Sequence, residues 1–112
     1  MFRLVVSMLT MLLVSKIALA ATTDEPVILI LGDSLGAAYG IQTEAAWPNL
    51  LVERLQGQGY RHSVINASIS GETTAGGARR VDALVEQYQP DVVMLALGAN
   101  DGLRGVAVTE TK

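Results

Sequence analysis

The sequence contains no cysteine and only one histidine, and these absences set the first limits on the protein. Without cysteine no disulfide can form, so the fold has to be held together by its apolar core. Without cysteine or a cluster of histidines there is no soft-metal site, and we expect neither a metal nor a cofactor. The basic residues are too few, eight against eleven acids, for nucleic acid or an anionic membrane surface to be the main partner.

A nucleotide-binding loop is also absent from the sequence. The glycines of the first polar segment are Gly32, Gly36 and Gly40, and no lysine follows them there. This pattern has neither the Walker spacing nor G-x-G-x-x-G. The sequence therefore argues against a nucleotide site.

Residues 1–20 have the pattern of a secretory signal peptide. Arg3 gives a basic start, Leu4 to Val14 form an apolar core, and Ala18-Leu19-Ala20 is a small-residue cleavage site. The apolar core is short for a bilayer span, although an N-terminal membrane anchor remains the alternative. Removing twenty residues from 112 leaves 92, residues 21–112, which form one domain at most. Because the leader carries two basic residues and no acid, cleavage changes the net charge from −3 to −5. The protein is expected in the periplasm or outside the cell, without stable membrane insertion.

An apolar run leads directly into a glycine, an acid and a serine. Val27 to Leu31 shows no alternation of polar and apolar residues, which predicts a strand buried on both faces, as in parallel α/β sheets. Ser34 then follows the carboxyl end of this strand, where reacting groups gather in such sheets. Ser34 is therefore a candidate nucleophile. The alternative is ordinary turn chemistry, with Asp33 or Ser34 capping a helix.

The rest of the chain predicts alternating strands and helices. With right-handed crossovers this order gives a parallel sheet covered by helices, an α/β fold. The expected elements are a strand over Val27 to Leu31, a helix that is entered at Trp47-Pro48 and ended by Gly57 and Gly59, a strand over Tyr60 to Ala67, a helix from about Ala75 to Tyr88 and a strand over Val92 to Leu97.

Each predicted strand is followed by a small polar loop, and all three loops are expected at one edge of the sheet. A serine that attacks an acyl carbonyl needs donors for the oxyanion that develops. The backbone N–H groups of Ser34 and Gly71 and the side-chain amide of Asn100 are suitable donors. A tight turn at Gly71 and an Asx-turn at Asn100 are the structural alternatives.

Three sequence blocks, Gly32-Asp33-Ser34-Leu35, Asn66 to Thr74 and Gly98-Ala99-Asn100-Asp101, resemble the GDSL, or SGNH, hydrolases. The similarity extends over roughly residues 27 to 105 and is strongest to exported bacterial arylesterases and multifunctional thioesterase/lysophospholipases. It implies a three-layer α/β/α, flavodoxin-like fold and a small acyl ester or thioester substrate. It also implies that Ser34 is the nucleophile, that Ser34, Gly71 and Asn100 form the oxyanion hole, and that Asp33 and Asp101 support the site.

One element of that family is missing from these 112 residues. Its members carry Asp-x-x-His, which supplies the general base, and no such motif occurs here. His62 lies at the start of the second predicted strand, where the family has no catalytic residue. We therefore expect residues 21–112 to be the N-terminal part of such a hydrolase, with its C-terminal part missing, and to be inactive as they stand. A carbohydrate acetyl esterase and a non-catalytic binding fragment are the alternatives.

Overall fold

The computed structural model describes residues 25–111, so the predicted signal peptide lies outside the described residues. The described chain forms a parallel sheet of three strands in the order β2-β1-β3, connected by helices. The predicted α/β class is therefore confirmed. The elements are β1 (Val27–Gly32), a 3-10 helix (Thr43–Ala45), α1 (Trp47–Gly57), β2 (Ser63–Asn66), α2 (Thr74–Tyr88), β3 (Val92–Ala96) and α3 (Ala99–Leu103).

Strand β1 is the centre of the fold. It pairs with β2 through Ile28 and Val64 and with β3 through Ile28 and Val92. Its residues Leu29, Ile30 and Leu31 are at most 1% exposed, as the uninterrupted apolar run predicts. The carboxyl ends of all three strands consequently lie at one edge of the sheet, which we call the C-edge.

Helix α2 packs closely on the sheet because it carries glycine where it meets β1. Gly77 is buried, and a Cβ atom there would lie 2.5 Å from Cδ1 of Leu97 and 3.5 Å from Cδ2 of Leu31. The helix begins directly after Thr73 in the sequence, and the Thr73 hydroxyl accepts a hydrogen bond from the N–H of Gly76. This N-cap fixes the point where the chain leaves the C-edge.

Two sequence expectations about element boundaries are wrong. Strand β2 covers Ser63–Asn66 rather than Tyr60 to Ala67, because pairing with β1 begins only at Val27. The segment after β3 is not a loop but contains α3. Gly98 turns the chain at a φ of 119°, so that a helix starts at the next residue.

Strand β3 has a partner on one side only among residues 25–111, namely β1. Its apolar side chains remain exposed, with Val92 at 47% and Leu95 at 68% of their full accessibility.

Within residues 25–111, no helix is both long and apolar enough to cross a membrane.

Candidate active site

Ser34 lies in a tight turn directly after β1, which we call the Ser34 loop (33–40). Asp33 is buried, and its Oδ1 accepts a hydrogen bond of 3.1 Å from the N–H of Leu35. The Asp33 carbonyl oxygen also accepts a bond from the N–H of Ala37, at 2.9 Å. Asp33 therefore shapes the turn, but it caps no helix, because the next helical element begins only at Thr43. The Ser34 hydroxyl is half-buried and forms no hydrogen bond with any residue from 25 to 111.

The Ser34 loop is joined to the segment that follows β2. Nδ2 of Asn66 donates to the Gly36 carbonyl oxygen at 2.8 Å. The N–H of Ile69 donates to the Gly32 carbonyl oxygen at 3.0 Å. These two bonds hold the chain on both sides of Ser34 against the neighbouring strand end.

Ser68 explains why Gly32 and Gly36 flank the site. Its Oγ is buried and has no hydrogen-bond partner in the described part of the chain. A Cβ atom on Gly32 would lie 2.9 Å from this oxygen, and one on Gly36 would overlap it. The Ser68 hydroxyl thus occupies the space that a side chain at either glycine would need.

Gly71 belongs to the segment that connects β2 with α2, which we call the Gly71 loop (67–72). Its backbone has a φ of 81°, a conformation that favours glycine. Its carbonyl oxygen accepts a bond of 2.9 Å from a terminal nitrogen of Arg104, just after α3. The Gly71 loop and the end of α3 are therefore in contact.

Asn100 and Asp101 lie in α3 and connect it to the Gly71 loop and to α2. Nδ2 of Asn100 donates to the Glu72 carbonyl oxygen at 3.0 Å. Asp101 is 2% exposed and accepts bonds from the N–H and the hydroxyl of Thr74, at 2.9 and 2.7 Å. The hydroxyl and N–H of Thr74 lower the pKa of Asp101 from its ordinary value because they stabilise the carboxylate.

A cleft of about 280 Å³ lies beside these segments at the C-edge. It is formed by the Ser34 loop, the start of α1 and the chain after β3. Two of the three predicted loops, those after β1 and β3, therefore contribute to its walls. Ser34, Gly71 and Asn100 do not line it themselves. The lining residues are Asp33, Leu35, Gly36, Trp47, Ala96, Leu97 and Ala99.

His62 lies far from the candidate nucleophile. It precedes β2, at the edge of the sheet where the strands begin, whereas Ser34 follows β1 at the C-edge. Its ring packs edge-on against Tyr60 at a centroid distance of 5.7 Å. The histidine is therefore not placed to accept a proton from Ser34, and no other histidine exists in the sequence.

The sequence did not single out several polar residues that hold this site together. Thr74 and Arg104 fix α3, while Arg80 and Glu72 form an ion pair of 2.9 Å beside the Gly71 loop. The sequence carries no signal for this pair, because Glu72 and Arg80 are eight residues apart and side chains that meet on a helix surface are three or four residues apart. Within residues 25–111 no group of three acidic, cysteine or histidine side chains is arranged to hold a metal ion.

Comparisons with known proteins match this chain to esterases. Residues 30–112 match the model of the GDSL-like Lipase/Acylhydrolase family. The arylesterase of Vibrio mimicus is 49% identical over 86 residues, which are 77% of this chain and 43% of that protein. The Escherichia coli K12 protein named thioesterase 1/protease 1/lysophospholipase L1 is 48% identical over 93 residues, 83% of this chain and 42% of that one.

A solved structure has the same fold. The crystal structure of the psychrotrophic esterase EstA from Pseudoalteromonas sp., inhibited by monoethylphosphonate, matches with a TM-score of 0.72 and 53% identity. The match covers 78% of this chain and 48% of EstA, so the chain spans about half the length of these relatives. With three motif blocks, a parallel sheet and a family match over most of its length, the chain belongs to the GDSL-like lipase/acylhydrolase family.

Proposed function

We propose that Ser34 is the nucleophile of a serine hydrolase that cleaves carboxylic esters or thioesters. One observation carries this proposal: the Ser34 hydroxyl has no partner among residues 25–111 while the backbone on both sides of it is fixed by hydrogen bonds. A nucleophile has to be held in position and yet remain available to a base and a substrate. Ser34 meets both conditions.

The oxyanion that forms on attack would be stabilised by the N–H groups of Ser34 and Gly71 and by the Asn100 amide. Glycine at position 71 leaves its N–H open to a substrate because no side chain stands beside it. The Asn100 NH₂ group has two protons, and its one hydrogen bond among the described residues goes to Glu72. That bond orients the amide, and the second proton remains for the oxyanion.

The substrate class follows from the cleft and from the family. Leu35, Trp47 and Leu97 give the cleft apolar walls next to the polar Ser34 loop, which suits a small acyl or aryl group. The relatives are named as an arylesterase and as a thioesterase and lysophospholipase. An uncharged ester or thioester with an apolar part is therefore the substrate we infer.

We further infer that these 112 residues do not hydrolyse esters efficiently by themselves. Serine is a poor nucleophile at neutral pH without an adjacent base, and the single histidine lies at the opposite edge of the sheet. Removing members of a catalytic triad leaves roughly a 10³- to 10⁴-fold advantage over water, which comes from binding and the oxyanion hole. A base from an Asp-x-x-His segment would have to reach the C-edge beside Ser34.

The test uses a hybrid esterase in which this chain replaces the equivalent half of EstA. A fluorophosphonate should label the hybrid, and the hybrid should hydrolyse p-nitrophenyl butyrate, whereas the 112-residue chain should do neither efficiently. Ser34→Ala should abolish labelling and turnover together. Ser63→Ala, at the other end of the sheet, is the matched control and should leave both unchanged. Labelling that survives Ser34→Ala would refute the proposal.

A further inference from the structure

We propose that Arg80 is a positioning residue that holds the Gly71 loop, and through it Asn100, in the geometry that stabilises the oxyanion. This inference rests on the proposed function, because it assigns a role within the same site. Arg80 belongs to the second turn of α2 and lies outside the three motif blocks.

The guanidinium group of Arg80 binds both ends of the Gly71 loop. Its Nε donates to Oε2 of Glu72 at 2.9 Å, and its two terminal nitrogens donate to the Ala67 carbonyl oxygen, each at 3.1 Å. Ala67 and Glu72 are the first and last residues of the loop. One side chain on a rigid helix therefore fixes the distance between the two ends of the segment that presents Gly71.

The contact is partly shielded from water. The side chains of Arg80 and Glu72 are 28% and 12% exposed. Hydrogen bonds between ionised partners are shorter and stronger than neutral ones, and shielding reduces their screening by salt. The ion pair is thus suited to hold the loop rather than to serve as a mobile surface contact.

Glu72 connects Arg80 to the predicted oxyanion donors through hydrogen bonds. Its Oε1 accepts a bond of 3.2 Å from the N–H of Thr73, the N-cap of α2. Its backbone carbonyl oxygen accepts the bond from Nδ2 of Asn100. Glu72 also follows Gly71 directly in the chain. A change in the Glu72 position would therefore move the Gly71 peptide and the Asn100 amide together.

Gly76 leaves room for the Glu72 carboxylate, which is a second observation in support of a defined Glu72 position. A Cβ atom on Gly76 would overlap the Glu72 carboxylate, so the absence of a side chain lets the carboxylate lie against the first turn of α2. A glycine inside a helix is otherwise unfavourable relative to alanine. The position of the Glu72 carboxylate explains why glycine occurs at position 76 despite this cost.

The geometry requires arginine rather than any cation. Lysine keeps the positive charge but has no planar fork, so it cannot bind the Glu72 carboxylate and the Ala67 carbonyl oxygen in the same way.

Arg79 offers a matched control, because it is adjacent and exposed and makes no hydrogen bond with the described residues.

The first experiment measures the hybrid esterase described above. Arg80→Gln should lower kcat on the order of 10- to 100-fold, since small misplacement of catalytic groups has effects of this size. KM and the melting temperature should change little. Arg80→Lys should give an intermediate kcat, and Arg79→Gln should match the parent. An unchanged kcat in Arg80→Gln, or an equal loss in Arg79→Gln, would overturn the inference.

The second experiment does not depend on activity and uses the 112-residue chain. In hydrogen exchange, Arg80→Gln should accelerate the amides of residues 68–73 by at least about 10-fold while the amides of β1 keep their rates. Arg79→Gln should change neither. Exchange that is unchanged, or that rises equally in β1, would overturn the inference even if the hybrid is inactive. An inactive parent hybrid with the expected exchange would instead count against the proposed function alone.

Discussion

Asp101 accepts two hydrogen bonds from Thr74, one from the backbone N–H at 2.9 Å and one from the hydroxyl at 2.7 Å. These bonds tie α3 to the first residue of α2 across 27 positions of sequence. They satisfy an N–H group that the start of a helix leaves without a partner inside the helix. The buried carboxylate of Asp101 is thus part of the framework of the site.

The stability of the chain should depend on pH through Asp101. The folded state lowers the pKa of this carboxyl below its ordinary 3.8, so its contribution is fully present above that value and is lost as the pH falls through the folded pKa. Asp101→Asn should destabilise the chain at pH 7, and the difference from the parent should shrink below pH 3.8. Urea unfolding at a series of pH values measures this. Asp82→Asn, an exposed acid on α2, should show no such effect.

Asn100→Ala should affect catalysis more than stability. Loss of an oxyanion donor typically lowers kcat on the order of 10²- to 10³-fold, whereas loss of the bond to Glu72 costs about 1 kcal/mol of unfolding free energy. Kinetics and thermal melting of the hybrid measure the two effects. A large drop in melting temperature with kcat of the folded fraction intact would favour a purely structural role.

The contact between Ser68 and Gly36 predicts a pair of compensating substitutions. Gly36→Ala places a methyl group on the Ser68 side chain and should destabilise the chain by about 1 to 3 kcal/mol. Adding Ser68→Gly should recover most of that loss. Gly57→Ala, where nothing lies within 4 Å of the new Cβ, is the control and should not be destabilising. Equal losses in the single and double variants would contradict the contact.

Gln89→Gly should stabilise the chain. Gln89 is the C-cap of α2 and has a φ of 46°, a conformation that costs a non-glycine residue about 1 kcal/mol. Gln58 is the C-cap of α1 but has a φ of −98°, so Gln58→Gly should not give this gain. Urea unfolding of both variants distinguishes them by the sign of the change.

The signal-peptide pattern predicts that the exported protein begins at Ala21. N-terminal sequencing of protein recovered from the periplasmic fraction checks this directly. Retention of Met1 on a membrane-bound product would instead support the anchor.

The sequence predicts the sheet well because its strands are marked by local composition. The runs around Leu29 and Val93 are continuous and apolar, and each is bounded by turn-forming residues, namely proline, aspartate or glycine. Such runs predict buried strands without knowledge of their neighbours. Ser34 at the C-edge followed from the same argument. The limits of α1 were predicted differently, from Pro48 at its start and from Gly57 and Gly59 at its end.

Helix α3 could not be predicted because its cause is tertiary. A segment with glycine at 98 and 102 and with asparagine and aspartate between them is typical of a turn. It becomes helical where Asn100 binds Glu72 and Asp101 binds Thr74, and those partners are more than 25 residues away in sequence. The same holds for Ser68, whose position against the glycines depends on the packing of two strand ends.

The pairing of β1 with β3 constrains when the chain can fold during synthesis. Ile28 lies opposite Val92, 64 positions later in the sequence, and β1 lies between the other two strands. Parallel pairing over such a distance requires a long loop to close before any contact forms, which makes it slow. A growing polypeptide therefore cannot pair these three strands until Ala96 has left the ribosome, and until then its apolar first strand lacks the partner on that side and can be bound by chaperones.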